Sequence, residues 1–215
     1  MTHSLPMQLI YEDAHLLALD KPPGLLAVPG RGVDKADCLS ARAQARWPDA
    51  LVVHRLDQAT SGLMLLARNA DVQRRLSAAF AERRVHKRYQ ALVHGQPPQP
   101  KHDEWGEIDL PLIVDWPNRP RSKVDHASGK PSRTRWKPLA DGSTPGTSRL
   151  ELEPVTGRSH QLRVHLQALG HPILGDALYG PQDDPAPRLM LHACAISLAH
   201  PVSGHWLALR SAVPF

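Results

Sequence analysis

The chain has 215 residues, and its 26 lysines and arginines exceed its 21 aspartates and glutamates, which gives a formal net charge of +5. A chain of this length can bury a core in one domain, and a basic balance favours a polyanionic partner such as a nucleic acid. Cys38 and Cys194 show no pairing pattern, which is typical of a reducing compartment. No apolar run approaches the roughly 18 residues of a membrane span. We therefore expect a cytoplasmic protein without a membrane partner.

The N-terminal part of the chain predicts short strands and two helices. Residues 9–11 and 16–19 are short apolar runs, as strands often are. Asp37 is placed to cap a helix that ends near residue 47, just before a proline. Asn69 is placed to cap a second helix, in which apolar residues recur at helical spacing and the opposite face is basic.

The middle of the chain combines strand patterns with basic and aromatic residues. Residues 87–95 alternate as a strand does, and Tyr89 shares one side with Ala91 and Val93. Between Arg119 and Lys137 lie seven basic residues and one acid, within a region, residues 105–138, that also contains Trp105, Trp116 and Trp136. This composition suits a groove that follows a phosphate backbone and stacks bases, and it suits equally well the charged outer face of an antiparallel sheet.

A third helix is predicted from His160 to about residue 169, with Ser159 as its cap and Gly170 at its end. Its leucines form one stripe, and Arg163 falls on the opposite face, where it would point into a cleft or into water. Two more strands are expected at 190–199 and 206–210. Many short strands with three modest helices predict an α+β fold with a large, mostly antiparallel sheet and a few flanking helices.

The most informative stretch is His54-Arg55-Leu56-Asp57-Gln58-Ala59-Thr60-Ser61-Gly62, which lies between two apolar runs. We predict two strands with a Thr-Ser-Gly turn between them, which places a charged cluster at the end of a sheet. The carboxylate of Asp57 is then partly buried, and a buried carboxylate requires a cation. By itself, an Arg-x-Asp pattern beside a turn fits an ion pair that braces a loop equally well.

Four motifs in fixed order resemble the RluA-type pseudouridine synthases. The resemblance extends from Lys21-Pro22-Pro23-Gly24-Leu25 to the C-terminus. A further run resembles one group of proteins within this family in particular: Asp115-Trp116-Pro117-Asn118-Arg119-Pro120. The motifs are His54-Arg55-Leu56-Asp57 with Thr60-Ser61-Gly62, then Lys87-Arg88-Tyr89, then Thr156-Gly157-Arg158-Ser159-His160-Gln161-Leu162-Arg163, and then Gly170-His171-Pro172-Ile173-Leu174-Gly175-Asp176. The resemblance implies the pseudouridine synthase fold, with a central cleft that binds RNA.

The resemblance also implies the roles of three catalytic residues. Asp57 matches the family's catalytic aspartate, which either attacks C1′ of the uridine or removes a proton from C2′. Arg163 matches the basic residue that pairs with this aspartate. Tyr89 matches the active-site tyrosine, whose ring can stack on uracil. From the residues alone, Tyr89 would be read as a core tyrosine on a strand.

A second set of residues is expected to bind the substrate. Arg55 looks like the residue that fills the space left by the extruded base, and His54 precedes it in the same motif. Arg158 and His160 are expected to contact phosphate or to brace the cleft. Arg119 and Arg121 belong to the basic stretch that we expect along the RNA path.

The implied reaction is an isomerisation of uridine, for which no cofactor and no metal are expected. The expected partner is structured RNA, as stem-loops of rRNA, of tRNA or of both, and we expect a monomer. Residues 1–215 are expected to form a single catalytic domain, without the N-terminal S4-like domain of larger family members. Two alternatives remain: an RNA-binding protein of the same fold that lacks activity, and an unrelated glycoside hydrolase with an aspartate nucleophile. The second has no evident second carboxylate near Asp57 to act as an acid.

Overall fold

The computed structural model describes residues 7–30, 32, 35–98, 100, 104–140 and 145–215. The chain forms two units, Met1–Lys87 with Ala193–Pro214, and Arg88–His192 with Phe215. The α-helices within the described residues are α1 (Leu39–Arg46), α2 (Ala70–Ala81) and α3 (Gln161–Ala168). The strands are β1 (Gln8–Glu12), β2 (Leu16–Lys21), β3 (Leu51–Val52), β4 (Ser61–Ala67), β5 (His86–His94), β6 (Gly106–Asp109), β7 (Leu112–Val114), β8 (Ser122–Val124), β9 (Arg133–Leu139), β10 (Thr147–Pro154), β11 (Leu191–Ala199) and β12 (Trp206–Arg210).

The first unit contains a sheet in the order β1-β2-β4-β11, with β3 paired to β4 and β12 paired to β11. Strands β2 and β4 are antiparallel and buried on both faces. Side chains on one face pack with Val72 and Leu76 of α2, and those on the other face pack with Leu39 and Ala43 of α1. A strand covered on both faces is apolar throughout, which explains the uninterrupted run of residues 63–67.

The second unit contains a sheet in the order β5-β10-β9-β6, in which neighbouring strands run antiparallel. Alternate side chains of these strands are buried, among them Ala91, Leu150 and Trp136. Helix α3 packs on this sheet, where the buried ring of His165 forms a hydrogen bond with the Thr134 hydroxyl at 2.9 Å. The short β7–β8 hairpin is a separate antiparallel pair.

The three predicted helices are present, but two of the predicted caps are wrong. Asn69 caps α2 as expected, since its side chain accepts a hydrogen bond from the Val72 amide. The cap of α1 is Cys38, because the Asp37 carboxylate instead forms a bidentate pair with Arg42. The residue before α3 is His160, in the left-handed conformation with φ 55°, and Ser159 lies outside the helix.

The α+β class and the mostly antiparallel pairing are confirmed. No helix in the described part of the chain has the length and apolar character that a membrane crossing requires.

Candidate active site

Residues 53–60 form the loop between the antiparallel strands β3 and β4, so the motif lies at the end of the sheet as predicted. The predicted Thr-Ser-Gly turn is wrong, because Ser61 and Gly62 already belong to β4. Gly62 has φ 114°, and a Cβ atom there would lie 2.4 Å from the Ala193 carbonyl oxygen. This glycine is therefore required by the close approach of another strand within the first unit.

His54 occupies a structural position in this loop. Its Nε2 atom accepts a hydrogen bond from the Leu65 amide at 2.9 Å, next to Leu66, the residue of β4 at which the pairing with β3 ends. The ring stacks on Phe80 of α2 with 4.4 Å between centroids. Burial, with a smaller contribution from the positive charge of Lys87, lowers the pKa of His54 to about 3. A neutral imidazole that accepts a hydrogen bond from the Leu65 amide stabilises the loop, and the contact of His54 with substrate stays a prediction.

Arg55 and Asp57 lie in the same loop with different exposure. Arg55 is exposed, whereas Asp57 is half-buried, as predicted. The Thr60 amide donates to the Asp57 carbonyl oxygen at 3.1 Å, which closes a tight turn directly after the aspartate. The geometry thus holds the main chain of Asp57 while Arg55 stays at the surface.

Lys21 is the residue of this region that sequence reasoning missed. Its side chain is fully buried at the end of β2, and Nζ donates to three carbonyl oxygens, those of Pro22, Leu25 and Gln58, at 2.9, 2.8 and 3.1 Å. Burial lowers the pKa of Lys21 to about 7, and the negative charges of Asp57 and Asp20 act in the opposite direction. Three acceptors around one nitrogen match the three N–H bonds of the ammonium form.

The buried ammonium therefore supplies a positive charge close to Asp57 within the first unit. The two segments are joined further by the Gly24 amide, which donates to the Gln58 carbonyl oxygen, and by the Gln58 side chain, which donates to the Gly24 carbonyl oxygen. A lysine that ends an otherwise apolar strand, Leu-Leu-Ala-Leu-Asp-Lys, was a signal that could have identified this position.

Tyr89 lies on β5 in the second unit, opposite Leu152 of β10. It is half-buried, whereas Ala91 and Val93 on the same side of the strand are fully buried. The alternation predicted for residues 87–95 is therefore confirmed, and the tyrosine lies toward the less buried end of its row.

Arg163 is buried, so of the two predicted positions, a cleft or water, the second is wrong. Only 4% of the residue is exposed. Its Nε and Nη2 atoms donate to the two carboxylate oxygens of Asp176 at 2.8 and 2.7 Å. A bidentate pair of this kind makes burial of the guanidinium tolerable. The pairing of Arg163 with Asp57, which the family resemblance implies, stays a prediction.

Arg158 and His160 lie at the start of α3, close to Arg163 in the chain. Arg158 is exposed. Nδ1 of His160 lies 2.7 Å from the Tyr179 hydroxyl, which also accepts a hydrogen bond from the Ser122 amide. The Tyr179 hydroxyl thus contacts both His160 and Ser122, and it joins the start of α3 to β8.

The basic stretch from Arg119 to Lys137 divides into two parts. Arg133, Arg135 and Lys137 pair with Glu107, Glu153 and Glu151, so this part forms the charged outer face of the sheet. Arg119 and Arg121 are exposed in the β7–β8 hairpin, and neither forms an ion pair with a described carboxylate. Only the hairpin part keeps the charge pattern expected of a surface that binds phosphate.

The tryptophans of this region also have three different environments. Trp136 is in the core, with 4% exposed. Trp105 lies beneath the cationic groups of Arg88 and Lys137, at 4.5 and 5.0 Å from the ring centroid. Trp116, at the tip of the β7–β8 hairpin, is 65% exposed.

Comparison with known proteins places these features in a family. The family model described as RNA pseudouridylate synthase matches residues 15–168. A relative from Vibrio parahaemolyticus, "Dual-specificity RNA pseudouridine synthase RluA", is 50% identical over 206 residues, which cover 93% of this chain and 80% of the relative. The protein of the same name from Escherichia coli K12 is 44% identical over 209 residues, which cover 96% of this chain and 93% of the relative.

Two human structures are similar in fold. RNA Pseudouridylate Synthase Domain Containing 1 has a TM-score of 0.75 and 28% identity, covering 98% of this chain and 84% of its own. RNA Pseudouridylate Synthase Domain Containing 4 has a TM-score of 0.72 and 26% identity, covering 96% and 88%. The chain belongs to the RNA pseudouridylate synthase family, and the predicted resemblance is confirmed.

Proposed function

We propose that this protein isomerises uridine to pseudouridine in stem-loops of large-subunit rRNA, of the tRNA anticodon arm, or of both. The observation that carries the proposal is the loop of residues 53–60, which holds the main chain of Asp57 beside the buried Lys21 ammonium. The relatives named as dual-specificity RNA pseudouridine synthases support the class of substrate.

Uridine and pseudouridine are isomers, so the reaction exchanges one proton with water and leaves the composition of the nucleotide unchanged. The N1–C1′ bond breaks, the base turns, and C5 bonds to C1′; the proton on C5 is released to water, and N1 takes up a proton. Asp57 either attacks C1′ or removes the C2′ proton that starts the cleavage. The fixed turn after Asp57 keeps the main chain of this residue in place, which favours a well-oriented carboxylate.

We assign the remaining residues as supporting groups in this proposal. Tyr89 stacks on the uracil, and Arg163 provides a fixed positive charge held by Asp176. Arg55 occupies the space of the extruded base, and Arg119 and Arg121 bind phosphate. Residues 1–215 act as one catalytic domain, and the protein works as a monomer in the cytoplasm.

The test uses RNA labelled with tritium at C5 of uridine, because release of tritium to water reports formation of the C5–C1′ bond. The wild-type protein is expected to release tritium, and mapping of pseudouridines in total RNA with and without the gene then identifies the position. Asp57→Asn is expected to fold, to bind RNA as the wild type does, and to release none. Near-wild-type release by Asp57→Asn would overturn the assignment of Asp57, and no release by the wild type would favour a protein that only binds RNA.

A further inference from the structure

The tip of the β7–β8 hairpin presents an aromatic ring in an arrangement that the reaction itself does not use. Trp116 begins a short 3-10 helix, Trp116–Asn118, and is 65% exposed. The Arg119 guanidinium lies over one face of its ring, 4.3 Å from the centroid. One ring face is thus covered by a cation, while most of the remaining indole surface is accessible. The accessible aromatic surface thus lies directly beside an exposed arginine, Arg119.

The tip is held in a defined conformation by its own hydrogen bonds. The Asp115 amide donates to the Arg121 carbonyl oxygen, and the Arg121 amide donates to the Asn118 carbonyl oxygen, at 2.9 and 3.0 Å. The Asn118 side chain also donates to the Asp115 carboxylate at 2.9 Å. Trp116 therefore stands on an ordered turn, so little conformational entropy is lost when a partner binds it.

The base of the hairpin is anchored in the second unit. Leu112 of β7 is buried in a cluster with Val164 of α3 and Tyr179. The Ser122 amide at the start of β8 donates to the Tyr179 hydroxyl at 2.7 Å. A buried base and an exposed, ordered tip are what a preformed binding element requires.

The charges around Trp116 indicate the kind of partner. Arg119 and Arg121 are exposed at the tip and form no ion pair with a described carboxylate, whereas Asp115 is already engaged by Asn118 and by Lys123 at 3.9 Å. A flat aromatic face beside unneutralised cations is complementary to a nucleobase and its phosphates. It is a poor match for an apolar protein surface, because the arginines would have to be desolvated.

We propose that Trp116 is a base-stacking platform, on which an unpaired nucleobase of the RNA substrate stacks while the Arg119 guanidinium supports the opposite face of the ring. The inference rests on the proposed function and adds one specific contact to it. It places Trp116 among the residues that bind RNA and outside those that act on the uridine. A base in a loop can reach the ring, whereas a base inside a perfect duplex cannot.

The test compares a synthetic RNA hairpin that has an unpaired loop with a fully paired duplex of the same stem. Trp116→Ala is expected to weaken binding to the hairpin about ten- to hundred-fold, as loss of one stacked base does, and to leave binding to the duplex unchanged. Trp116→Phe should recover much of the loss, because a smaller ring still stacks. The dependence of affinity on salt should stay as in the wild type, because no charge is removed.

Two further variants separate stacking from general effects. Trp206→Ala removes a comparably exposed tryptophan, 62% exposed on β12 of the first unit, and is expected to change neither affinity. Arg119→Lys keeps the charge but loses the planar group over the indole, so hairpin affinity should fall several-fold at an unchanged salt dependence.

Each other outcome contradicts the proposal. Equal binding of the hairpin by Trp116→Ala and wild type would overturn it, and so would an equal loss for the duplex or for Trp206→Ala. Thermal unfolding of each variant shows whether a loss of RNA affinity comes from misfolding. If Trp116→Ala is misfolded, the hairpin affinity of Trp116→Phe is the deciding measurement. Tritium release by the wild type on the same hairpin is measured in parallel, so that failure of the catalytic function is distinguished from failure of the stacking contact.

Discussion

The Lys21 ammonium donates a hydrogen bond to the carbonyl oxygen of Gln58, the residue that directly follows Asp57, at 3.1 Å. The two residues are 37 positions apart, so this contact fixes the loop of the motif to the end of β2. Lys21 also lies opposite Gly62 in the pairing of β2 with β4. The buried ammonium thus acts on the main chain on one side of Asp57, while strand pairing holds the residues beyond it.

We predict that Lys21→Met destabilises the protein and lowers turnover more than RNA affinity. Methionine fits the apolar surroundings but leaves three carbonyl oxygens without their donor, at a cost of about 2–4 kcal/mol in the free energy of unfolding. The loop that carries Asp57 loses its fixed position, so kcat should fall while the dissociation constant for RNA changes little. Urea unfolding and single-turnover tritium release measure the two effects.

Gln58→Ala provides the matched control for this variant. It removes the side-chain bond to the Gly24 carbonyl oxygen and leaves the contact of Lys21 with the main chain intact. We expect a loss of no more than about 1 kcal/mol and nearly normal turnover. A Lys21→Met protein with wild-type stability and kcat would show that the buried ammonium does not position the loop.

The features that the sequence predicted correctly are those that depend on a pattern of residues close together in the chain. The apolar run that forms most of β4, the Asn69 cap and the alternation of β5 all follow from residue types at short spacing. The family resemblance added Asp57 and its neighbours, since the motif is continuous in the chain.

The features that the sequence did not predict depend on contacts between segments that are distant in the chain, or on the choice of a side chain between two possible partners. Helical period placed Arg163 opposite the leucine stripe, but only the fold shows that the Asp176 carboxylate covers it. Asp37 is a good cap by type, yet Arg42 takes both of its oxygens. The tryptophans at 105, 116 and 136 look alike in the sequence, and strand register together with hairpin position decides which of them is exposed.

Tyr89→Phe tests whether the hydroxyl group of Tyr89 takes part in the chemistry. Phenylalanine preserves the ring that stacks, so RNA affinity should stay within about twofold of the wild type. If the hydroxyl acts near the sugar, kcat should fall about 100-fold, as is common when one acid–base group is lost. Tyr11→Phe is the matched control, because its hydroxyl donates to Asp13 in the first unit, and it should leave kcat unchanged. Normal turnover by Tyr89→Phe would leave Tyr89 only a stacking role.

The lowered pKa of His54 predicts an acid-dependent loss of stability. The pKa is about 3 in the folded protein and about 6.5 in the unfolded chain, so between these values the unfolded chain binds more protons. The free energy of unfolding should therefore decrease as the pH falls from about 6.5 toward 3, by up to about 1.4 kcal/mol per pH unit from this residue. Urea unfolding at a series of pH values measures the slope.

His54→Gln separates this contribution from those of other groups, because its amide oxygen can still accept a hydrogen bond from the Leu65 amide. The variant should lose part of the pH dependence and keep the part due to His165, whose pKa burial also lowers. Wild-type and variant curves that run parallel between pH 4 and 6, a window of about two pH units within the predicted range, would contradict a neutral His54.

The two parts of the basic stretch should respond differently to salt. Replacing Arg119 and Arg121 with alanine removes two cations that no described carboxylate neutralises, so the slope of log affinity against log salt should become shallower by about 1.4 on a single-stranded loop, about 0.7 for each contact. Replacing Arg133 and Arg135 removes the same formal charge from residues paired with Glu107 and Glu153, and the slope should change much less. Binding of one RNA hairpin across a salt series distinguishes the variants. Equal slopes for both double variants would mean that the hairpin arginines are solvated surface charges and that the RNA path lies elsewhere.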